Sequence, residues 1–127
     1  MMMTRSDSRE NAMIAVYQYL LVNRDIDELL QDAFGAELAD IDPYFIDVAR
    51  NSAEKEQEYS TYIDRVLTDW TYDRLGTIEK AILLNGCSEF ALKQVAAAVI
   101  IDESVELAKK YCDEDTYKLI NRVLDII

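Results

Sequence analysis

The sequence predicts an all-α fold, and three observations carry that prediction. Only 3 of its 127 residues are glycine and 1 is proline, too few for the turn that an all-β chain needs roughly every 8–12 residues. Apolar residues recur at helical spacing in one stretch after another. Most of those stretches begin behind Ser, Asn or Asp, the side chains that cap helix N-termini. The length gives one domain over residues 1–127, long enough to bury a core.

Taken in order, Ser8 or Asn11 caps a first helix whose apolar positions are Ala12, Ala15, Val16, Tyr19 and Leu20. It runs to about Val22 and breaks at Asn23-Arg24-Asp25. A short second helix carries Ile26, Leu29, Leu30 and Ala33, with Asp25 as its cap and Gly35 just past its end. Asp42-Pro43 starts a third helix, because proline tolerates the first turn. Phe45, Val48, Ala49, then Tyr59, Tyr62, Ile63, Val66 and Leu67 carry it to about Thr68. Its middle, Asn51 to Glu58, is nearly all polar, so it is half exposed or broken there. Trp70 to Leu75 reads as a short turn that plants the only tryptophan. Residues 95–111 form another helix through Val95, Val99, Ile101, Val105 and Ala108. Asp113-Glu114-Asp115-Thr116 caps a final one with Leu119, Ile120, Val123, Leu124 and Ile127 on its apolar face.

Residues 80–90, KAILLNGCSEF, admit two readings. Asn85-Gly86 between apolar residues is a strong hairpin signal. A hairpin there leaves only Cys87-Ser88-Glu89-Phe90 as its return strand, with no other strand to pair, and such a pair is marginal. One amphipathic helix from Ile78 to about Phe90, starting behind Gly76-Thr77, costs about 1 kcal/mol for its interior glycine. Packing of Ile78, Ile82 and Leu83 offsets that. The helix is the better reading.

The net charge is −12. It is concentrated in residues 1–70, where 15 acids meet 6 bases, and eight acids with no base separate Arg24 from Arg50. Such a field repels phosphates and attracts a basic protein. No apolar run approaches the ~18 residues of a membrane span, and residues 1–10 are too polar for a signal peptide. Cys87 and Cys112 lack CxxC spacing, so reduced thiols in the cytoplasm are expected. Histidine is absent, which removes the commonest general base, the serine triad and the usual zinc sites. No glycine loop cradles a phosphate. Asp102, Glu103 and Glu106 are expected as solvated surface. No enzyme, cofactor or metal site is expected.

SRENAMIAVYQYLL, DRLGTIEKAIL, SEF, VIIDESVELAKKY and DEDTYKLINRVLDII lie in this order along the chain. In order and spacing the chain resembles the NusB family of bacterial transcription antitermination factors over nearly its whole length. The resemblance is most specific at Arg9-Glu10 with Ala12 and Tyr17, at Arg74-Leu75-Gly76 with Ile78-Glu79-Lys80, at Asp102 through Lys109, and at Asn121 with Val123-Leu124-Asp125. It implies about seven helices in two packed three-helix bundles. It also implies a non-enzymatic adaptor that pairs with NusE, a basic small-subunit ribosomal protein. That pair binds boxA RNA of ribosomal RNA leaders and delivers it to the antitermination complex of the elongating polymerase.

Carried over position by position, the resemblance assigns Tyr17, Asp73 and Glu79 to the NusE-facing surface: a flat ring with a polar tip, and two carboxylates suited to Arg or Lys. Glu79 also suits the first turn of a helix by the helix dipole. The RNA-facing set is Arg5, Arg9, Asp115, Lys118, Asn121 and Arg122. Lys118, Asn121, Arg122 and Asp125 form a polar stripe on the last helix, with cations for phosphates and an amide for a base edge. Asp115 is expected to serve as N-cap. The RNA side departs from the family's pattern: the N-terminus holds few bases, Leu119 stands where an aromatic is usual, Arg122 replaces a glycine, and Ala96 a proline. One alternative is therefore a NusB-like interaction module with reduced or lost RNA binding. Another, the NusB-like domain preceding ribosomal RNA methyltransferases, calls for a catalytic domain with a cofactor motif, and the sequence holds no such motif.

Overall fold

Side-chain caps set several of the helix starts in the computed structural model, which describes residues 3–127. Seven α-helices lie among these residues: α1 Arg5–Leu21, α2 Ile26–Phe34, α3 Pro43–Glu54, α4 Glu56–Val66, α5 Thr77–Leu92, α6 Ala97–Tyr111 and α7 Glu114–Ile126. Thr4 accepts the Asp7 N–H at 3.0 Å, so α1 begins one turn before the expected Ser8 and about two turns before Asn11, and Ser8 is buried inside it. Asp25 and Asp42 cap α2 and α3 as their positions predicted. Gly35 closes α2 at φ 63°, a left-handed conformation that glycine adopts without penalty. Lys93 takes the same conformation at the end of α5, at φ 56°, with a Cβ to accommodate.

The polar stretch in the predicted third helix is a break: the chain kinks at Lys55, separating α3 from α4. Helices α1–α3 pack on one another, and so do α5–α7. The two bundles meet where α1 and α3 lie against α5, while α4 reaches both α5 and α7.

Helix α5 runs unbroken through Asn85-Gly86. It differs from the expected amphipathic helix in one respect, because every residue from Ala81 to Glu89 is buried. It is enclosed on all sides, as befits the helix shared by both bundles. That explains its two odd residues. A Cβ on Gly86 would come within 2.9 Å of Leu124 Cδ2, so glycine admits α7 at close range. Asn85 is held by a side chain rather than a backbone carbonyl: its Oδ1 accepts from Ser52 Oγ at 2.6 Å, and Ser52 also meets Ser88 at 2.6 Å. The Asn85 Nδ2 has no partner among the described residues.

Two further expectations shift. The inward face of α6 is Ile100, Ser104 and Ala108, while Val99 is exposed. The turn before α5 is a single 3₁₀ turn at Tyr72–Arg74, and it plants Tyr72 rather than Trp70. Tyr72 is buried, with its N–H on Asp64 Oδ1 at 2.6 Å and its hydroxyl donating to Glu56 Oε2 at 2.9 Å, whereas Trp70 is 47% exposed.

Candidate protein and nucleic-acid interfaces

The start of α1 was expected to face RNA with Arg5 and Arg9, and only one of them is free to do so. Arg9 sits on the buried side of α1, 4% exposed. Its Nε and Nη2 donate to the two carboxylate oxygens of Glu89 in α5, each at 2.8 Å. Tyr44 donates to the same carboxylate at 2.8 Å, and Glu103 lies 3.7 Å from Arg9 Nη1. Burial is the largest single influence and disfavours the charged guanidinium, but the Glu89 hydrogen bonds together with the charges of Glu89 and Glu103 raise its pKa overall. Arg9 therefore leaves the RNA-facing set, because its donors are used inside the protein. Arg5, one turn earlier, is exposed; it rests over the Tyr44 and Phe45 rings at 5.1 Å and reaches Asp42 at 3.4 Å. The Asp42 ion pair is solvent-exposed and weak enough to exchange for a phosphate.

On α7, Asp113 rather than Asp115 is the N-cap, accepting the Thr116 N–H at 2.9 Å. Asp115 is left exposed in the first turn. Lys118, Asn121 and Arg122 are all exposed, as the polar stripe predicted. Lys118 pairs with Glu114 at 2.8 Å, a surface i,i+4 contact; Arg122 has no ion pair among the described residues.

Glu79 folds back over the start of α5 and accepts the Gly76 N–H. A Cβ at Gly76 would meet that carboxylate, so a larger residue there would need the Glu79 side chain to move aside. The other Glu79 oxygen lies 3.5 Å from Thr116 Oγ1, which ties the first turn of α5 to the first turn of α7. Glu79 and Asp115, expected on different surfaces, thus line one depression of about 300 Å³ together with Trp70, Arg74, Asp113 and Leu119. Asp73 is exposed in the adjoining 3₁₀ turn. Tyr17 is half-buried on α1 and packs against the main core.

Trp70 and Arg74 escaped the sequence reading. The Arg74 guanidinium lies 5.0 Å from the centre of the Trp70 ring. A signal was present: the only tryptophan falls in a helix break beside Asp69 and Asp73, an uncommon place to spend a large apolar ring. The two thiols offer no nucleophile. Burial pushes Cys87 up to about 12 and Cys112 up to about 11. No group of three or more His, Cys, Asp or Glu is placed to hold a metal among the described residues.

Solved structures place the architecture among NusB-type helical folds. T. maritima NusB matches with TM-score 0.86 at 24% identity, over 99% of this chain and 91% of that one. A structure of antitermination factors NusB and NusE in complex with dsRNA matches with TM-score 0.84 at 27% identity, over 99% and 96%. In sequence, the transcription antitermination protein NusB of Sulfurovum sp. (strain NBC37-1) is 37% identical over 131 residues, covering 99% of this chain and 98% of that protein. Residues 6–127 match the NusB family, and the chain belongs to it.

Proposed function

We propose that this protein pairs with NusE and, with it, holds boxA RNA of ribosomal RNA leaders for the elongating polymerase. The observation that carries the reading is the acidic end of the molecule around Glu79. There a carboxylate bonded to the Gly76 N–H shares a depression with exposed Asp115, and Asp73 is exposed in the turn that precedes it. A chain of net charge −12 meets a basic protein with complementary fields, which speeds encounter and sets orientation. A NusB-type fold with NusE and RNA in one complex supports the same partnership.

RNA contact falls to Arg5, Lys118, Asn121 and Arg122. Three cations give a salt slope of only about −2 on a single strand, so the isolated chain binds RNA weakly. The burial of Arg9 specifically favours the second reading, an interaction module with reduced RNA binding. One titration separates them: labelled boxA RNA is mixed with this protein, with NusE from the same organism, and with both, at two salt concentrations. Tightening only with both proteins present supports the adaptor. No difference from NusE alone leaves the interaction module.

A further inference from the structure

The first turn of α3 lies between the exposed start of α1 and the buried network beneath it. Tyr44 and Phe45 follow the capping Asp42 there, and their rings meet edge to face, 5.0 Å apart at 86°. Both rings are buried. Phe45 packs with Ala12 and Val48, and the Tyr44 hydroxyl donates to Glu89, whose two oxygens also accept from Arg9. The Arg5 guanidinium lies over this pair, 5.1 Å from each ring centre. The rest of its side chain faces solvent, at 56% exposure, and its one ion pair is the 3.4 Å contact with Asp42.

A guanidinium resting on aromatic rings keeps the N–H donors along its edge for other partners. An arginine on a bare surface loses side-chain freedom when it meets a phosphate, whereas one already settled on two fixed rings loses less. Asp42 is a weak competitor for it, since one of its oxygens caps the Tyr44 N–H at 2.9 Å and the other holds Arg5 only in an exposed pair. We infer that Tyr44 and Phe45 are positioning residues for RNA, a platform that holds Arg5 ready for a backbone phosphate. Glu89 fixes that platform from beneath. The group received is a phosphate rather than a base, because rings buried under a guanidinium offer no face for stacking. The inference rests on the RNA contact proposed above, and it adds the start of α3 to a surface formed by α1 and α7.

Tyr44→Leu removes one ring and leaves the Arg9–Glu89 pair in place. Without RNA, the Arg5 Nε–Hε resonance is expected upfield of a free arginine under the ring currents, and to move back toward it in Tyr44→Leu. With NusE of the same organism, Tyr44→Leu and Arg5→Ala are each expected to weaken labelled RNA about threefold, with helicity and NusE affinity unchanged. A phosphate contact carries no sequence information, so boxA and a scrambled RNA of equal length should lose alike. The double variant is expected to bind no more weakly than Arg5→Ala alone. Should Tyr44→Leu lose helicity, Tyr44→Phe, which keeps the ring and drops its tie to Glu89, runs the same cycle with a loss of about twofold. An Arg5 resonance at the free position, or losses that multiply in the double variant, overturns the platform while RNA binding stands. Undiminished RNA affinity in Arg5→Ala overturns it too. If the wild-type protein with NusE binds no more RNA than NusE alone, the RNA reading fails and the platform with it.

Discussion

At the start of α1, Arg9 lies 5.4 Å from the Phe45 ring centre and its donors close on Glu89, with Tyr44 sharing the carboxylate. Just before α5, Arg74 lies 5.0 Å from the Trp70 ring centre, within reach of a depression holding Glu79 and Asp115. The ingredients are the same: guanidinium, aromatic ring and carboxylate. The first set is buried and mutually satisfied, so it joins α1, α3 and α5 and has nothing left to offer a partner. The second keeps an exposed ring and an uncommitted carboxylate. Burial, rather than residue type, separates a structural network from a surface suited to recognition.

The sharpest way to break that comparison is to open the closed set. Glu89→Ala strands a buried guanidinium and the Tyr44 hydroxyl, and is expected to cost about 3–5 kcal/mol, read by urea unfolding. Replacing both partners with apolar residues, Arg9→Met with Glu89→Leu, is expected to recover much of that loss. A Glu89→Ala protein within about 1 kcal/mol of the parent means the pair is not the closure described here.

The open set answers to a charge reversal instead. Glu79→Arg is expected to abolish co-migration with NusE, a loss of about 2–5 kcal/mol in binding, while the far-ultraviolet spectrum stays helical. Glu79→Gln keeps an acceptor for the Gly76 N–H, so it separates the capping role from the charge. It should fold as well as the parent and bind more weakly. Normal co-migration of Glu79→Arg places the interface elsewhere on the protein.

How far the sequence foretold these two regions differs in an instructive way. Periodicity and caps placed the helices to within a few residues, because Asp25, Asp42 and the apolar rows of α1 and α7 act locally. Glu79 and Asp73 were singled out only through the family resemblance; the structure leaves Asp73 exposed and holds Glu79 at the first turn of α5. Arg9 was misread because its partner Glu89 lies 80 positions away, and nothing local distinguishes an arginine meant for a phosphate from one meant for a core carboxylate. Asn85 was opaque for the same reason, with Ser52 supplied by another helix. Trp70 was expected to be planted, since a large apolar ring defaults to the core. In the structure Tyr72, two residues later, takes the buried place and Trp70 lies outward.

A smaller effect tests how firmly the open region is backed. Helix α7, which carries Asp115, rests on α5 at Gly86, against Leu124 that is 1% exposed. Alanine gains about 1 kcal/mol of helix propensity there but meets a side chain with little room to yield, and overpacking costs about 1–3 kcal/mol. Gly86→Ala is expected to lose about 1 kcal/mol net and to weaken NusE slightly by shifting α7. A stabilised variant would mean that α7 adapts freely and does not hold the depression between Glu79 and Asp115 in register.

The smallest expected effect lies in surface ties that join the helices, at Glu10 beside the buried pair and at Asp27 on the start of α2. Hydrogen bonds from Lys110 first and Tyr111 second hold the Glu10 carboxyl below its ordinary value, and Arg50 does the same for Asp27. A carboxyl lowered in the folded state contributes stability that is complete above its unfolded value and disappears as pH falls through the lowered native one. For Glu10 that window opens downward from 4.5. Each tie is exposed enough to be worth no more than about 1 kcal/mol. Thermal unfolding should show a shallow loss of stability below that pH, and Glu10→Gln combined with Asp27→Asn should flatten it while lowering stability slightly at pH 7. An acid profile unchanged in the double variant would shift the loss to other carboxylates and leave Glu10 and Asp27 without a measurable part in joining α1 to α6 and α2 to α3.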